Sequence, residues 1–155
     1  MQIISPARPP LIVYSAKPNF MLTGSTVDTI MATVPIPAHQ IGPGGTVEVI
    51  ALYTWTSSVN QKTMRIKLGG LTFYLMNNTA ANPGYYAGSR IYNNSDEQSY
   101  NYVQANTFYG VIGNGLQNNA VDTRVAVNLD FNGQLALGTE TMALRNYTVK
   151  IFPGY

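Results

Sequence analysis

The sequence predicts an all-β protein: a two-sheet antiparallel jelly-roll sandwich of about eight strands with an extended N-terminal arm. Three observations lead there. No stretch repeats apolar residues at helical spacing over a dozen positions. Residues 46–75, TVEVIALYTWTSSVNQKTMRIKLGGLTFYL, alternate apolar and polar side chains with a period of two. Similar alternating runs recur along the 155 residues at a spacing that fills two packed sheets. An immunoglobulin-like sandwich is the second choice, but its cysteine framework is missing from a chain without cysteine.

The elements follow in order. Residues 1–20 hold Pro6, Pro9, Pro10 and Pro18, a density that predicts an extended arm, with the domain proper at 21–155. Within the arm, Leu11, Ile12, Val13 and Tyr14 read either as a first strand of the same domain or as a strand donated to a neighbouring subunit. Residues 28–36 predict a strand with Ile30, Ala32, Val34 and Ile36 on one face and Pro35 near its end. The run IGPGG at 41–45 ends regular structure before the central meander.

In that meander Val47, Val49, Ala51, Tyr53 and Trp55 share the inner face of the first strand. Met64, Ile66 and Leu68 line the second, with Arg65 and Lys67 opposite, and Gly69-Gly70 supplies a tight hairpin before Leu71, Phe73 and Leu75. Patterning weakens from 77 to 118, where strands are placed at 87–93 and 100–106. It returns with Val125, Val127, Leu129 and Phe131, followed by Asn132-Gly133 as a hairpin turn. In the last strand, 142–152, Met142 and Leu144 are out of phase with Tyr147, Val149 and Ile151. That break predicts a bulge near Arg145-Asn146.

Composition narrows the function. Only 10% of residues are charged, against about 25% in ordinary soluble domains, so the surface is polar but weakly charged. A net charge of +2, scattered singly, makes no basic stripe for a phosphate backbone, and no nucleic-acid partner is expected. Nor is a membrane partner: prolines interrupt the N-terminus, and residues 11–14 are too short an apolar run for a signal or spanning helix. A chain made in a cytoplasm is the expectation, so the N-x-Ser/Thr triplets at Asn77, Asn93 and Asn146 are taken as chance matches.

Reactive chemistry is sparse. His39 is the sole histidine and precedes a Gly/Pro turn, where a surface role outweighs a catalytic one. Asp96 and Glu97 are sequence neighbours, and Glu48 and Asp130 lie on predicted outward faces, so no carboxylate pair facing one groove is expected. Asn93, Asn94, Asp96 and Glu97 lack the spacing of a calcium loop. No enzyme activity, metal or cofactor is expected. What remains is contact chemistry. Tyr85, Tyr86, Tyr92, Tyr100, Tyr102 and Tyr109 lie among Asn, Ser and Gly, a mixture suited to binding loops for protein or sugar. Ile50 and Leu52 are apolar on the outward face opposite Trp55, which asks for a cover: a neighbouring subunit, or the arm through Leu11 and Val13. Leu11, Val13, Tyr14, Ile50 and Leu52 are therefore the candidate subunit or capsid contacts.

The pieces TGSTVDTIMATVPIPAHQIGPGGTVEV, TWTSSVNQKTMRIKLGG and AVDTRVAVNLDFNGQLALGTETMALRNYTVKI resemble small jelly-roll virion proteins of tailed bacteriophages. In that group the module serves as a capsid decoration (cement) protein or as a tail-fibre domain. The resemblance covers residues 24–151 and rests on Pro35-x-Pro37 before the Gly-Pro-Gly-Gly turn, the basic strand ending in Gly69-Gly70, and Asn132-Gly133-Gln134-Leu135. The proline-rich arm and the Tyr/Asn-rich middle depart from it. It implies a structural protein on the capsid exterior of a virion, a homotrimer bound to the major capsid protein. A tail-fibre or receptor-binding module contacting a host surface glycan is the alternative.

Overall fold

The computed structural model describes residues 10–94, 97–98, 100–103 and 116–154. Its strands are β1 (Ile12–Ala16), β2 (Phe20–Thr23), β3 (Thr29–Ile36), β4 (Thr46–Trp55), β5 (Lys62–Leu68), β6 (Leu71–Asn78), β7 (Gly84–Asn93), β8 (Tyr100–Val103), β9 (Leu116–Asn119), β10 (Val127–Leu135) and β11 (Thr141–Phe152). One sheet runs β1-β11-β4-β7-β8-β9, with β2 also on β11, and the other runs β3-β10-β5-β6. All pairs are antiparallel.

The connectivity is that of a jelly roll. β1 pairs with β11, β3 with β10, β4 with β7 and β5 with β6, so four pairs nest inside one another along the chain. The pairs β11–β4 and β10–β5 then close each sheet and send alternate pairs to opposite layers. Seven of those eight strands were predicted, and β1 is the same-chain reading of residues 11–14. β8 falls within the strand expected at 100–106, whereas β2 and β9 have four residues each, too few to show alternation. β2 continues along β11 where β1 stops, Pro18 lying between them. Of the segment 1–20, Ile12–Ala16 is thus an edge strand on the same chain's β11, while residues 1–9 lie outside the described residues.

The core lies between the sheets. Val47, Val49, Ala51 and Tyr53 of β4 are fully buried, as are Met64, Ile66 and Leu68 of β5 and Leu129 and Phe131 of β10. Tyr147 lays its ring on Phe131 at a centroid distance of 4.6 Å. Gly69 and Gly70 turn the β5–β6 hairpin at φ of 57° and 81°, as expected. The β11 register breaks between Leu144 and Asn146, at the predicted bulge.

Bulges also account for what the pattern got wrong. The register of β3 on β10 shifts between Phe131 and Asn132, so Met31 turns inward and Ile30 is exposed, the reverse of the expected face. A shift between Ile66 and Lys67 buries both Phe73 and Tyr74 and leaves Leu71 exposed and Leu75 half-buried. Asn132-Gly133 is no hairpin turn: both sit inside β10, and the connection to β11 follows Leu135. A Cβ on Gly133 would lie 2.6 Å from the Met31 sulfur and 2.7 Å from the Met142 sulfur, so the glycine serves close packing between the sheets. Val125 precedes β10 and is exposed. The strand expected at 100–106 is described only as Tyr100–Val103.

Candidate functional site: the outer face of the larger sheet

Alternation along β4 sends Val47, Val49, Ala51, Tyr53 and Trp55 inward, and hence Thr46, Glu48, Ile50, Leu52 and Thr54 outward. The register lays down rows across the outer face. Val13, Lys150, Glu48 and Arg90 form one row, and Ser15, Thr148, Ile50 and Gly88 the next. Asn146, Leu52 and Tyr86 follow, then Met21, Ala143 and Thr54, while Phe152, Thr46 and Tyr92 lie at the opposite end.

At the middle of this face Glu48, nearly buried, accepts from Arg90 Nε at 2.9 Å and Nη2 at 2.7 Å, and Lys150 Nζ stands 3.5 Å from its other oxygen. The Glu48 hydrogen bond is the chief reason the Arg90 guanidinium holds its proton even more firmly than usual. Apolar surface surrounds the cluster. Val13 is 52% and Tyr86 64% exposed, Met21, Tyr92 and Phe152 are exposed as well, and Ile50 and Leu52 are half-buried. The smaller sheet is clothed differently. There Asp28 receives Arg65 Nη1 at 3.0 Å together with Lys67 Nζ and Asn132 Nδ2, Thr33 donates to Asp130 at 2.6 Å, and Gln61, Thr63 and Asn77 bond one another. Exposed apolar residues on that sheet, Ile30 and Leu71, belong to its edge strands β3 and β6.

The structure divides the predicted contact residues. Val13, Ile50 and Leu52 share the outer face, and Leu11 is exposed just before β1. Val13 lies beside Lys150, however, and does not cover Ile50 or Leu52. Tyr14 is on the core side, and its hydroxyl donates to Gln40 Oε1 at 2.9 Å. The tyrosines expected on loops are on strands: Tyr85, Tyr86 and Tyr92 on β7, Tyr100 and Tyr102 on β8. Tyr85 packs against the core opposite Tyr53, whereas Tyr86 and Tyr92 face outward. Tyr109 lies outside the described residues.

Two polar groups went unpredicted. Lys62, fully buried at the start of β5, donates to the Ser58 carbonyl at 3.2 Å and to Ser58 Oγ, and stands 3.3 Å from Glu140 Oε2. Ser58 and Asn60 donate to Glu140 Oε1, so the ion pair ties the β4–β5 connection to the start of β11. The basic character of Lys62 gave no hint of burial, because its partner is 78 residues away. The second is Arg145, the bulge residue of β11, whose Nε donates to Thr54 Oγ1 at 2.8 Å. Here the phase break in the sequence was the available signal.

His39 sits in a turn at φ 59° and its Nδ1 lies 3.2 Å from Glu97 Oε2. Its backbone N–H donates to the Thr123 carbonyl at 2.8 Å, and among the described residues no hydroxyl contacts its ring. Among those residues no three His, Cys, Asp or Glu side chains are grouped to hold a metal ion, and no helix is long and apolar enough to cross a membrane.

No protein-family profile matches the chain, and no curated protein matches it. Several solved structures are similar to it at low identity. Dimeric latent PorU from Porphyromonas gingivalis is 7% identical with a TM-score of 0.46, over 91% of this chain and 12% of that one. Winged bean acidic lectin complexed with methyl-alpha-D-galactose is 11% identical with a TM-score of 0.42, over 92% of this chain and 99% of the lectin. The VP2 subviral particle of infectious bursal disease virus is 10% identical with a TM-score of 0.41, over 96% of this chain and 34% of VP2. This chain therefore spans only a small part of PorU and a third of VP2.

Proposed function

We propose that this chain is a non-enzymatic structural protein of a virion: a capsid decoration protein that sits as a homotrimer on the outside of the head shell, bound to the major capsid protein. The observation that carries the reading is the asymmetry of the two outer faces. One is covered by hydrogen-bonded polar and charged side chains; the other presents Val13, Tyr86, Tyr92 and Phe152 around the Glu48 cluster. Exposed aromatic and aliphatic side chains on one sheet face suit a protein surface better than water. The resemblance to phage jelly-roll proteins supports the same reading, as does the pairing of Asp28, Glu48, Asp122 and Glu140 with cationic neighbours. A decoration protein gains its hold from many copies acting together, so a shallow face suffices where an enzyme needs a deep cleft.

A second reading, a tail-fibre or receptor-binding module, is favoured by one feature: the cleft beside Arg145 at the end of this face. Quantitative mass spectrometry of purified virions separates the two. Decoration predicts the chain at a copy number on the scale of the coat protein, and a tail module predicts the far lower count of tail components. Absence from the virion overturns both.

A further inference from the structure

We infer that the cleft at the β2 end of the outer face is a binding site for a carboxylate-bearing sugar, a uronic or sialic acid residue. This goes beyond the structural role and holds whether the chain sits on a head or a tail. The cleft has a volume of about 340 Å³, with Ala143 and Thr54 in its floor and Met21 and Pro83 in its walls. It is built rather than incidental. The Trp55 indole donates to the Asn82 carbonyl at 2.8 Å and fixes the Pro83 wall. Thr56 and Thr141 are locked together: Thr56 N–H donates to the Thr141 carbonyl, Thr141 N–H donates to Thr56 Oγ1, and the two hydroxyls are 3.1 Å apart.

Arg145 supplies the charge. As the extra residue of the β11 bulge it is re-aimed out of the ladder, and Thr54 Oγ1 holds its Nε. Arg65, Arg90 and Arg124 each contact a carboxylate; among the described residues Arg145 has none within ion-pair distance. Its two terminal amino groups are left for an anion, and a planar carboxylate matches that fork. The backbone beneath is already spent, because β11 pairs with β2 and β4, and β4 with β7. A peptide strand thus finds no ladder to join in the floor, and the open edge of β2 is only four residues long. A sugar ring needs only what the cleft offers: hydroxyl partners, an apolar wall for its C–H face and one cation.

The test is a titration of the isotope-labelled full chain, followed by amide and Arg Nε–H resonances, with the methyl glycosides of glucuronic acid and N-acetylneuraminic acid. Methyl galactoside and acetate serve as neutral and sugar-free controls. Saturable shifts at Arg145, Thr54 and Thr141, at least about tenfold weaker for methyl galactoside and for acetate, support the site. Arg145→Gln abolishes those shifts and Arg124→Gln leaves them unchanged. Equal response to acetate, equal response to the neutral sugar, or no saturable shift with either acidic sugar overturns it. Val13→Glu, outside the cleft, reads the structural role separately: it is expected to weaken shell attachment and to leave the sugar shifts unchanged.

Discussion

Tyr53 shows how finely the core is set at the level of one atom. Its hydroxyl is buried and has no hydrogen-bond partner among the described residues, and burial, with lesser contributions from Tyr74 and Asp28, pushes its ionisation far above the usual tyrosine range. Removing that oxygen relieves a buried polar group, so Tyr53→Phe leaves stability unchanged or raises it by up to about 1 kcal/mol in urea denaturation. Trp55→Ala costs about 3–5 kcal/mol, since it empties a core site and frees the Asn82 carbonyl. Lys67→Ala costs less than about 1 kcal/mol, because the pair with Asp28 is partly exposed and Arg65 remains.

Two paired carboxyls contribute to the loss of stability in acid. Hydrogen bonds from Asn60 and Ser58, then the Lys62 contact, outweigh burial and hold Glu140 below its usual range. At Asp28 burial acts upward but is overcome by the Lys67 hydrogen bond, the charges of Arg65 and Lys67, and Asn132. Both folded values lie below the unfolded ones, so the stabilisation is present above the ordinary carboxyl range and is lost as pH falls through the folded values. Glu140→Gln leaves Lys62 buried without its counter-charge, costing about 3–5 kcal/mol at neutral pH. Its stability in a pH series also falls less steeply in acid than the parent's.

At the scale of elements, the strands legible in the sequence were those with one face in water and no irregularity. β4 and the pairing half of β5 keep an unbroken period of two, and the paired glycines after Leu68 marked their hairpin. What stayed hidden was non-local. A bulge changes face according to its partner strand, so the inward turns of Met31 and Tyr74 depend on registers with β10 and β5 that local pattern does not contain. The bulge in β11 was readable because both halves of that strand are long enough to show their phases. Asn132-Gly133 failed for a related reason: the same dipeptide serves a tight turn or a close approach of two sheets, and only Met31 and Met142 decide which. Gly133→Ala accordingly costs about 1–3 kcal/mol, read as a lowered Tm, through forced movement of those methionines. An unchanged Tm would show that the sheets are less tightly apposed than the structure has them.

For the whole molecule, the jelly roll leaves two outer faces with different chemistry, and the sequence foretold only part of the apolar one. Ile50 and Leu52 were visible as outward apolar residues on β4, and Val13 as an apolar residue of the arm. Tyr86 and Tyr92 were visible as tyrosines but not as strand residues, and the Glu48–Arg90–Lys150 cluster needed three strands brought side by side. The proposed homotrimer is checked separately: sedimentation at micromolar concentration is expected to show a trimer, and a monomer would contradict that part of the proposal. On the proposed reading this face, and not the other, holds the protein on its partner. Co-sedimentation with purified head shells tests it most directly, comparing Val13→Glu/Tyr86→Glu with Ile30→Glu, an equally exposed apolar site on the smaller sheet. The double variant, still folded, is expected to lose shell binding by more than about tenfold while Ile30→Glu binds as the parent does. Full binding by the double variant, or equal loss in both, would contradict it.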